Sequence, residues 1–453
     1  MDKYTRFSPR ASLAAIGVRV RQMKVWHIVG QQVHIKQKVI RHRPLDKLLD
    51  AWISILAGGQ GLVEVNTRVR PDRMLQKAFG REACADQSTI SDTLNVCQEG
   101  AVLQMREALQ HIYRIHGRGY RHRYEESRQV LDVDMTGMPA GRQGEGVTKG
   151  YFSEHRGQRG RQLGRVVATL YDEIVVERLY PGKVQLERSL QELVSAAEGV
   201  LELDDGSRSR TVVRVDGGGG RDADINWLLR RGYHVVAKVK NWQRSVKLAR
   251  SVKAWYPDPK VPGREAGWIE EPHPYHCPTR QVGIRKRKKN GQWQYRIVVF
   301  TLNDEMLFCL AGQPVRSMPT PQQVLFAAVH VYDLRGGGVE TTVKGSKQGL
   351  GLTKRNKRRF HAQEMLVLLA QLAYNLITWT RNLLACHAPQ LGRLGILRIV
   401  RDLFHIAGTI QTNTQGQIVQ IRLNEAHSLA PPFTRALSAA MPRDGPSLSL
   451  GQI

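Results

Sequence analysis

The sequence predicts an α/β protein whose main body is a mixed sheet covered by helices. Three observations support this fold class. From Val130 onwards, three strand-like segments in succession give way to alternating strands and helices; residues 1–125 carry apolar residues at helical spacing; and residues 241–325 are irregular and β-rich. At 453 residues the chain also exceeds what one hydrophobic core usually supports, so several structural units are expected.

The region 1–125 is predicted to be helical. The segments LDKLLDAWISILAGG and EGAVLQMREALQHIYRIHG have apolar residues three and four positions apart, and Gly58-Gly59 ends the first. Between them, Asp86 or Ser88 can cap a helix in ADQSTISDTLNVC. Short helices of this kind are compatible with a DNA-reading helix-turn-helix and equally with a simple bundle.

The regions 126–240 and 326–385 are predicted to form the main sheet and its covering helices. VLDVDM alternates, LGRVVATLYDEIVVERLY gives two β-branched runs that meet at a hairpin turn, and helix, strand, helix and strand follow up to YHVVAKVK. Helical periodicity resumes in VYDLRGGGVETTVKGSK and continues through MLVLLAQLAYNLITW, which polar residues interrupt. We therefore predict a buried helix there and no membrane span.

The remaining regions are an insertion and a C-terminal segment. Clustered prolines, the basic run IRKRKKNGQ and the alternating WQYRIVVFTLN predict a largely β insertion at 241–325. The segment 386–453 is predicted to hold a helix around 392–405, a hairpin in TIQTNTQGQIVQIRL and a polar tail.

The charge balance identifies the class of partner. Sixty-eight Lys and Arg against 40 Asp and Glu give a net charge of +28, which is typical of nucleic-acid binders. Phosphate affinity alone does not specify a reaction, since backbone contacts carry no reactivity. The five cysteines form no Cys-x-x-Cys pair, and the N-terminus lacks a signal-peptide pattern, so a reducing, cytoplasmic and nucleoid-associated setting is expected. The motif HPYHC at 273–277 could ligate zinc, but no second ligand cluster accompanies it.

Two aspartates are candidates for metal-dependent phosphoryl transfer. Asp134 ends VLDVD, and Asp216 ends RTVVRVD before four glycines, so each carboxylate is predicted where a strand gives way to a loop. Hard divalent cations prefer such oxygen ligands. An aspartate at a strand end can equally be a turn former, and Asp132 shares a strand face with Asp134. The conjunction of both acids with the downstream Glu340 favours the catalytic interpretation.

These motifs resemble the cut-and-paste DDE transposases of bacterial insertion sequences, whose catalytic domain has the ribonuclease H-like fold. DVDMTG resembles the first motif, and VDGGGGRDADINWLLRRGYHVVAKVK resembles the second. One branch, which has a β-rich insertion, carries Tyr, two residues, Arg, three residues, Glu, six residues and Lys. Here Tyr332, Arg335, Glu340 and Lys347 follow that order, with one extra residue before Glu340 in the stretch Gly336–Gly338.

The resemblance implies a ribonuclease H-like α/β fold with a β-rich insertion and a helical DNA-end-binding domain before it. It implies that Asp134, Asp216 and Glu340 bind two Mg²⁺ ions, for which Mn²⁺ can substitute, and catalyse cleavage of transposon ends and strand transfer into target DNA. Tyr332 is implied to contact the transferred end, although an isolated tyrosine is more often a core residue. Arg335 and Lys347 are implied to contact phosphates.

Basic runs suggest further contacts with the DNA backbone, unless these cations only form a solvated face. The residues concerned are Arg285, Lys286, Arg287, Lys288, Lys354 and Arg355. Trp242 could stack on DNA, but we expect its burial within the insertion. The expected partners are double-stranded DNA, as terminal inverted repeats and as target, and a second copy of the chain in a homodimer on DNA, with no membrane. The alternatives are a metal-dependent nuclease of the same fold and a catalytically idle DNA-binding derivative.

Overall fold

The structure is a computed structural model of the chain. It describes residues 4–39, 41–150, 152, 157–315, 318–442 and 445–453. Helices and strands are numbered separately in chain order. The strands are β1 (Tyr4–Ser8), β2 (Gln129–Pro139), β3 (Thr148–Lys149), β4 (Arg159–Ala168), β5 (Glu173–Pro181), β6 (Thr211–Val215), β7 (His234–Lys238), β8 (Tyr256–Pro257), β9 (Arg264–Trp268), β10 (Arg280–Arg287), β11 (Trp293–Phe300), β12 (Gly408–Thr412), β13 (Ile418–Asn424) and β14 (Ser447–Gly451).

The helices of the described residues connect and cover these strands. They are α1 (Ala11–Gln22), α2 (Val25–Gln32), α3 (Pro44–Leu56), α4 (Val65–Arg68), α5 (Arg73–Ala78), α6 (Gln87–Asn95), α7 (Glu99–His116), α8 (Leu186–Leu201), α9 (Asp205–Ser209), α10 (Asp222–Arg230), α11 (Trp242–Ala249), α12 (Asp304–Leu310), α13 (Pro321–Asp333), α14 (Val339–Gly349), α15 (Phe360–Ala385), α16 (Ile396–Arg401) and α17 (Ala430–Ala440). Short 3₁₀ turns lie at 62–64, 169–171, 389–393 and 403–405.

The chain divides into two compact units. One comprises residues 118–138 and 148–342, and the other comprises 1–117, 139–147 and 343–453. The predicted boundary at 385 therefore differs from this division, because α14 runs across residue 342 and α15 belongs to the same unit as the N-terminal helices. The functions predicted for the individual domains stay predictions.

The unit of residues 118–138 and 148–342 is built on the predicted mixed sheet. Its strand order is β3-β4-β2-β6-β7-β11-β10-β9-β8, with β5 paired to β4. The hairpin β4–β5 is antiparallel, as predicted, and its 3₁₀ turn ends at Asp172, which adopts the left-handed conformation with φ 55°. By contrast, β2, β6 and β7 are mutually parallel, with Val133 opposite Val215 and Val215 opposite Ala237. This parallel centre positions the candidate site.

The inserted strands continue the central sheet. Strand β11 pairs antiparallel with β7, with Val298 opposite Lys238, and β10, β9 and β8 follow in turn. The insertion is largely β, as predicted. It is not a separate subdomain, however, because its strands share one sheet and one compact unit with β2, β6 and β7.

Each face of this sheet has its own core where β7 meets β11. On one face, Val236, Val298 and Phe300 pack with helices α12 and α13. On the other, Val239, Ile297 and Val299 pack with Leu248 of α11. Alternate residues along a strand point to opposite faces, so Lys238 and Arg296 share the side of Val298.

The other unit combines helices with a small sheet of strands from both ends of the chain. The sheet order is β1-β12-β13-β14, antiparallel except for the parallel pair β13–β14. Of the two predicted cap residues, Asp86 caps α6 by accepting from the backbone N–H groups of Ser88 and Thr89. The predicted hairpin is β12–β13, whereas β1, α17 and β14 were not predicted.

The apolar segment MLVLLAQLAYNLITW lies in α15 and is buried, as predicted. Its interruptions, Gln371 and Asn375, are themselves buried. Within the described ranges, none of the helices combines the length and the apolar character needed to cross a membrane.

Candidate active site

Sheet register brings two of the three predicted acids together. The last residue pair between β2 and β6 is Val133 opposite Val215, so the next position on each strand path carries Asp134 and Asp216. In the same way Val215 lies opposite Ala237 on β7, so the next residues on these two strand paths, Asp216 and Lys238, are neighbours. Adjacent strands are about 4.8 Å apart, so Asp134, Asp216 and Lys238 form a row across three strands.

Asp134 is the most strongly perturbed of the acids. Its side chain is 21% exposed, one carboxylate oxygen accepts from the N–H of Met135 at 2.8 Å, and the other lies 3.5 Å from Nη2 of Arg335. Burial raises the pKa of Asp134 to about 6; Arg335 opposes this shift, and the negative charges of Asp216 and Glu340 add to it. All three predicted acids thus contribute to one electrostatic site. The strand itself continues to Pro139, so the prediction that Asp134 ends its strand is wrong.

Asp216 begins a tight glycine loop after β6. Its carboxylate accepts from the N–H of Gly218 at 2.8 Å, and its carbonyl accepts from the N–H of Gly219 at 3.1 Å. The loop lies against the end of β7: a Cβ on Gly220 would be 1.7 Å from the carbonyl oxygen of Lys238. Glycine is required there because the backbones approach too closely for a side chain.

Glu340 lies in the first turn of α14 and is exposed. The predicted continuous helix is broken: α13 ends at Asp333, and the backbone turns through Leu334–Gly338 before α14 begins. The extra residue before Glu340 lies in this turn. A Cβ on Gly338 would be 2.3 Å from a carboxylate oxygen of Asp132, so glycine lets the turn lie against β2.

Asp132, the alternative candidate for the first catalytic acid, has a structural role. It is fully buried, and Nε and Nη2 of Arg214 donate to its two oxygens at 2.7 and 2.8 Å. The Thr169 hydroxyl donates to it at 2.7 Å. The third guanidinium nitrogen of Arg214 donates to the carbonyl of Val331 at 2.8 Å, which ties β2, β6 and α13 together. This pairing leaves Asp134 as the acid of β2 that faces Asp216.

Arg335 and Tyr332 lie beside the acids. Arg335 is 4% exposed, and burial would lower its pKa, but the carboxylates of Asp134, Asp132 and Asp216 outweigh burial and raise it. Its Nη2 also donates to the carbonyl of Val133 at 3.4 Å. Tyr332 packs against the core of α12 and α13, and burial raises its pKa to about 12. The guanidinium of Arg335 thus lies among the carboxylates of Asp134, Asp132 and Asp216.

The predicted DNA contacts in the insertion are of two kinds. Arg285 is held between the rings of Trp255 and Trp293, with its guanidinium carbon 4.4 and 4.3 Å from their centroids, and it pairs with Glu265 at 2.5 Å. These contacts give Arg285 a structural role. Lys286, Arg287 and Lys288 are exposed towards the tip of the β10–β11 hairpin.

In the basic run after α14, the two predicted DNA contacts also differ in exposure. Lys354 is exposed, whereas Arg355 is 6% exposed and its guanidinium donates to the backbone carbonyls of Leu350 and Gly59. Burial lowers the pKa of Arg355 to about 10. The structure therefore gives Arg355 an interior, structural role instead of the predicted contact with DNA. Lys347 is half-buried further along α14, and its predicted phosphate contact stays a prediction.

Trp242 is not buried in the insertion, contrary to expectation. It is 70% exposed at the start of α11, whose N-cap Asn241 accepts from the N–H of Arg244 at 3.0 Å. It lies two residues after Lys240, whose N–H donates to the carbonyl of Gly220 at 3.0 Å. The aromatic ring is therefore presented to solvent near the glycine loop that follows Asp216.

Sequence reasoning missed Lys238 and Arg296. A Cβ on Gly217 would be 2.8 Å from Cε of Lys238, so this side chain lies over the residue after Asp216. Burial lowers the pKa of Lys238; Asp216 opposes the shift, while Arg296 and Arg335 add to it. The signal was available in YHVVAKVK, because a lysine two residues before the expected end of an apolar strand stands out. Arg296 could be placed only after β11 was found beside β7.

A family model of the transposase DDE domain, group 1, matches residues 19–442. The chain belongs to this family. No curated protein is matched by sequence. Among solved structures, the transposase is similar to a piggyBac transposase synaptic complex with hairpin DNA, with 12% identity over 85% of this chain and 79% of that one and a TM-score of 0.47. Family membership makes the protein a DNA transposase, an enzyme that cleaves DNA and transfers strands, on a ribonuclease H-like fold.

DDE transposases generally use divalent metal ions. The donor chemistry of this transposase fits such ions, because three carboxylates supply oxygen ligands and two of them lie side by side. Within the described ranges, no group of three His, Cys, Asp or Glu side chains is close enough to hold a metal. That statement includes the HPYHC motif, whose His273 instead lies 3.3 Å from Asp222.

Proposed function

We propose that this transposase excises a mobile element by cutting at its terminal inverted repeats and joins the freed ends to target DNA, with Asp134, Asp216 and Glu340 as the catalytic acids. The observation that carries this proposal is the coupling of the three carboxylates: Asp134 and Asp216 are neighbours by register, and both Asp216 and Glu340 raise the pKa of Asp134. Two like charges side by side, as in Asp134 and Asp216, are costly unless a function requires them.

Two Mg²⁺ ions, or Mn²⁺ in their place, are the proposed cofactors, and Asp134, Asp216 and Glu340 would hold them. When bound, such ions activate the attacking oxygen and stabilise the leaving oxygen of a phosphodiester. The carboxylate of Asp134 must be deprotonated to bind a cation, and Arg335 favours that form. The N–H of Gly218 donates to the Asp216 carboxylate and orients it before any substrate arrives, and the N–H of Gly219 donates to the Asp216 carbonyl and closes the loop.

The cations around the acids fit a nucleic-acid substrate. Lys238, Arg296 and Arg335 act electrostatically on one another or on the acids, and Lys238 and Arg296 lie on the same face of the sheet. We place the enzyme with the bacterial insertion-sequence transposases on the basis of its Tyr332, Arg335, Glu340 and Lys347 signature. A homodimer that brings both DNA ends together is the proposed active assembly.

The test is a transposition assay with purified protein. The donor plasmid carries the DNA that brackets the gene, including any short inverted repeats, on both sides of a resistance marker. With Mg²⁺ we expect excised marker and marker joined to a second plasmid. Asp134→Asn, Asp216→Asn and Glu340→Gln should each abolish both products while the affinity for the end DNA stays within about threefold, because charge removal at a metal site leaves distant backbone contacts intact.

The alternatives give different results in the same assay. Cleavage without joined product would indicate a nuclease, and end binding with no cleavage by the parent protein would indicate an idle derivative. Retained cleavage by any of the three variants would show that the altered residue is not a catalytic acid. Glu107→Gln, an exposed change on α7, is the matched control and should behave like the parent.

A further inference from the structure

We propose that Arg296, on inserted strand β11, is a DNA-phosphate contact of the active site and acts together with Lys238. This inference rests on the proposed function and adds a binding role for the insertion. Arg296 lies outside every motif that identified the catalytic acids, so its place in the site comes from the sheet alone.

The register places Arg296 next to the catalytic row. Val298 is opposite Lys238, and the N–H of Val239 donates to the carbonyl of Ile297 at 2.9 Å, so the pairing continues one residue beyond β7. Arg296 is therefore the diagonal neighbour of Lys238. Diagonal neighbours on one face are separated by about 7–8 Å at the backbone, within reach of long side chains.

The face on which Arg296 lies is the side of the acids. Val298 belongs to the core formed with α13, the helix that carries Tyr332 and precedes Arg335. The opposite face of β11 is occupied by Ile297 and Val299, which pack with α11 and cannot present a cation to the site. Arg296 thus lies where the core of α13 ends and the polar site begins.

Both cations are available to an anion. Within the part of the chain that the structure describes, neither the Lys238 ammonium nor the Arg296 guanidinium has a hydrogen bond or ion pair to a protein group, and Arg296 is exposed. Their mutual repulsion lowers the pKa of Lys238 further than burial alone. Two like charges held close together are stabilised when a phosphate binds between them.

The phosphate in question would lie beside the bond that is cut. Lys238 covers Gly217, the residue directly after Asp216, so a phosphate held by Lys238 and Arg296 is adjacent to the acids. We expect this contact to position the DNA strand for attack, in addition to adding affinity. A contact that only added affinity would leave the rate at saturating DNA unchanged.

Two measurements test this role. The first is equilibrium binding of a 30-base-pair duplex in Ca²⁺ over a range of KCl concentrations. Loss of one phosphate contact in Arg296→Ala should reduce the slope of log affinity against log salt by about 0.9. The second is Mn²⁺-dependent nicking of supercoiled plasmid at saturating DNA, which should fall about tenfold or more in Arg296→Ala.

Two further variants separate binding from folding. Arg296→Lys retains the charge and should restore part of the nicking rate and the salt slope. Arg250→Ala, an exposed arginine at the end of α11, is the matched control and should leave both quantities unchanged. Arg296→Ala should melt within about 2 °C of the parent, since an exposed side chain without a partner adds little stability.

The outcomes are distinguishable. An unchanged salt slope in Arg296→Ala overturns the proposed contact. A changed slope with a saturated nicking rate within twofold of the parent places the contact away from the scissile phosphate and overturns its active-site role. If the parent protein never nicks DNA, the proposed function fails, while the binding arm still decides whether Arg296 contacts a phosphate.

Discussion

Nη2 of Arg335 lies 3.5 Å from the carboxylate of Asp134, and the same nitrogen donates to the carbonyl of Val133, one residue earlier on β2. Arg335 therefore contacts both the side chain of Asp134 and the backbone of the strand that carries it. Its charge balances part of the negative charge that Asp134, Asp216 and Glu340 concentrate at one edge.

The raised pKa of Asp134 predicts that this acid opposes folding at neutral pH. A carboxyl whose folded pKa, about 6, exceeds its ordinary 3.8 contributes stability below pH 4 that is lost as pH rises through 6. In EDTA at pH 8, Asp134→Asn should therefore raise the free energy of unfolding, by less than about 3 kcal/mol because Arg335 loses its partner. Thermal melts from pH 4 to 8 measure this. A stabilisation that persists at pH 4 would contradict the explanation.

The Asp132–Arg214 pair should be essential for folding and not for chemistry. Arg214→Met leaves the Asp132 carboxylate buried with no cation, so we expect a loss of about 3–5 kcal/mol in unfolding free energy. Asp132→Asn combined with Arg214→Met should be less destabilised than Arg214→Met alone. Arg210→Met, an exposed change beside β6, is the control. Urea unfolding of the parent, Asp132→Asn, Arg214→Met, the double variant and the control checks the prediction, and additive losses from the two single variants would contradict it.

Arg285 and Lys288 should differ although both belong to the basic hairpin. Arg285→Ala removes two ring contacts and an ion pair, so it should lower stability by about 1–3 kcal/mol. Lys288→Ala should leave the melting temperature unchanged and reduce the salt slope of DNA binding by about 0.9. Melting curves and anisotropy titrations of both variants distinguish these roles. Equal effects of the two variants on DNA binding would refute the division.

Gly220→Ala should disable the active site. The added methyl would lie 1.7 Å from the carbonyl oxygen of Lys238, so the loop that holds Asp216 must move. We expect nicking to fall about a hundredfold or more, since small misplacements near the chemistry are costly. Gly199→Ala in α8, where the same methyl meets nothing within 4 Å, should retain activity and stabilise the helix by about 1 kcal/mol. Full activity of Gly220→Ala would mean that the loop position is unimportant.

Trp242→Ala should weaken DNA binding without loss of stability. The ring is 70% exposed on a helix whose Arg244 pairs with Asp222 at 2.6 Å, so it is presented from a fixed element. Stacking on one base is worth about 1–3 kcal/mol, which corresponds to an affinity loss of about 5–150-fold. Leu170→Ala, at another exposed apolar residue, is the control. If Trp242→Ala bound single-stranded DNA as tightly as the parent does, and also bound duplex DNA as tightly, stacking would be excluded.

The sequence was most informative where local pattern and local structure coincide. The β4–β5 hairpin, α8, β6, α10 and β7 follow from alternation and helical spacing. Asp134 and Asp216, chosen for their place next to β-branched runs, lie side by side in the sheet. These signals depend only on neighbouring residues. The C-terminal strand β14 was missed because its partner β13 lies about 25 residues earlier and its short alternation, SLSLG, lies within a segment interpreted as a polar tail.

Side-chain roles set by tertiary contacts were the main failure. Arg355 and Arg285 are indistinguishable in sequence from the exposed cations beside them, and only the packing around each shows that they stabilise the fold. Arg296 lies near Lys238 because β11 pairs with β7, and these strands are about 60 positions apart in the sequence. Burial of Trp242 was predicted from hydrophobicity, which does not decide the exposure of a single aromatic residue.

The pairing of β7 with β11 also bears on how this enzyme can be shortened. Deleting residues 241–325 would not yield a minimal catalytic core, because β7 would become an outer strand with the hydrogen-bonding groups of Val236, Ala237 and Lys238 exposed. Such a truncated chain would present an unpaired strand edge one strand away from β6 and would tend to self-associate there. The insertion therefore covers the edge of β7, the strand next to β6 and its Asp216 loop.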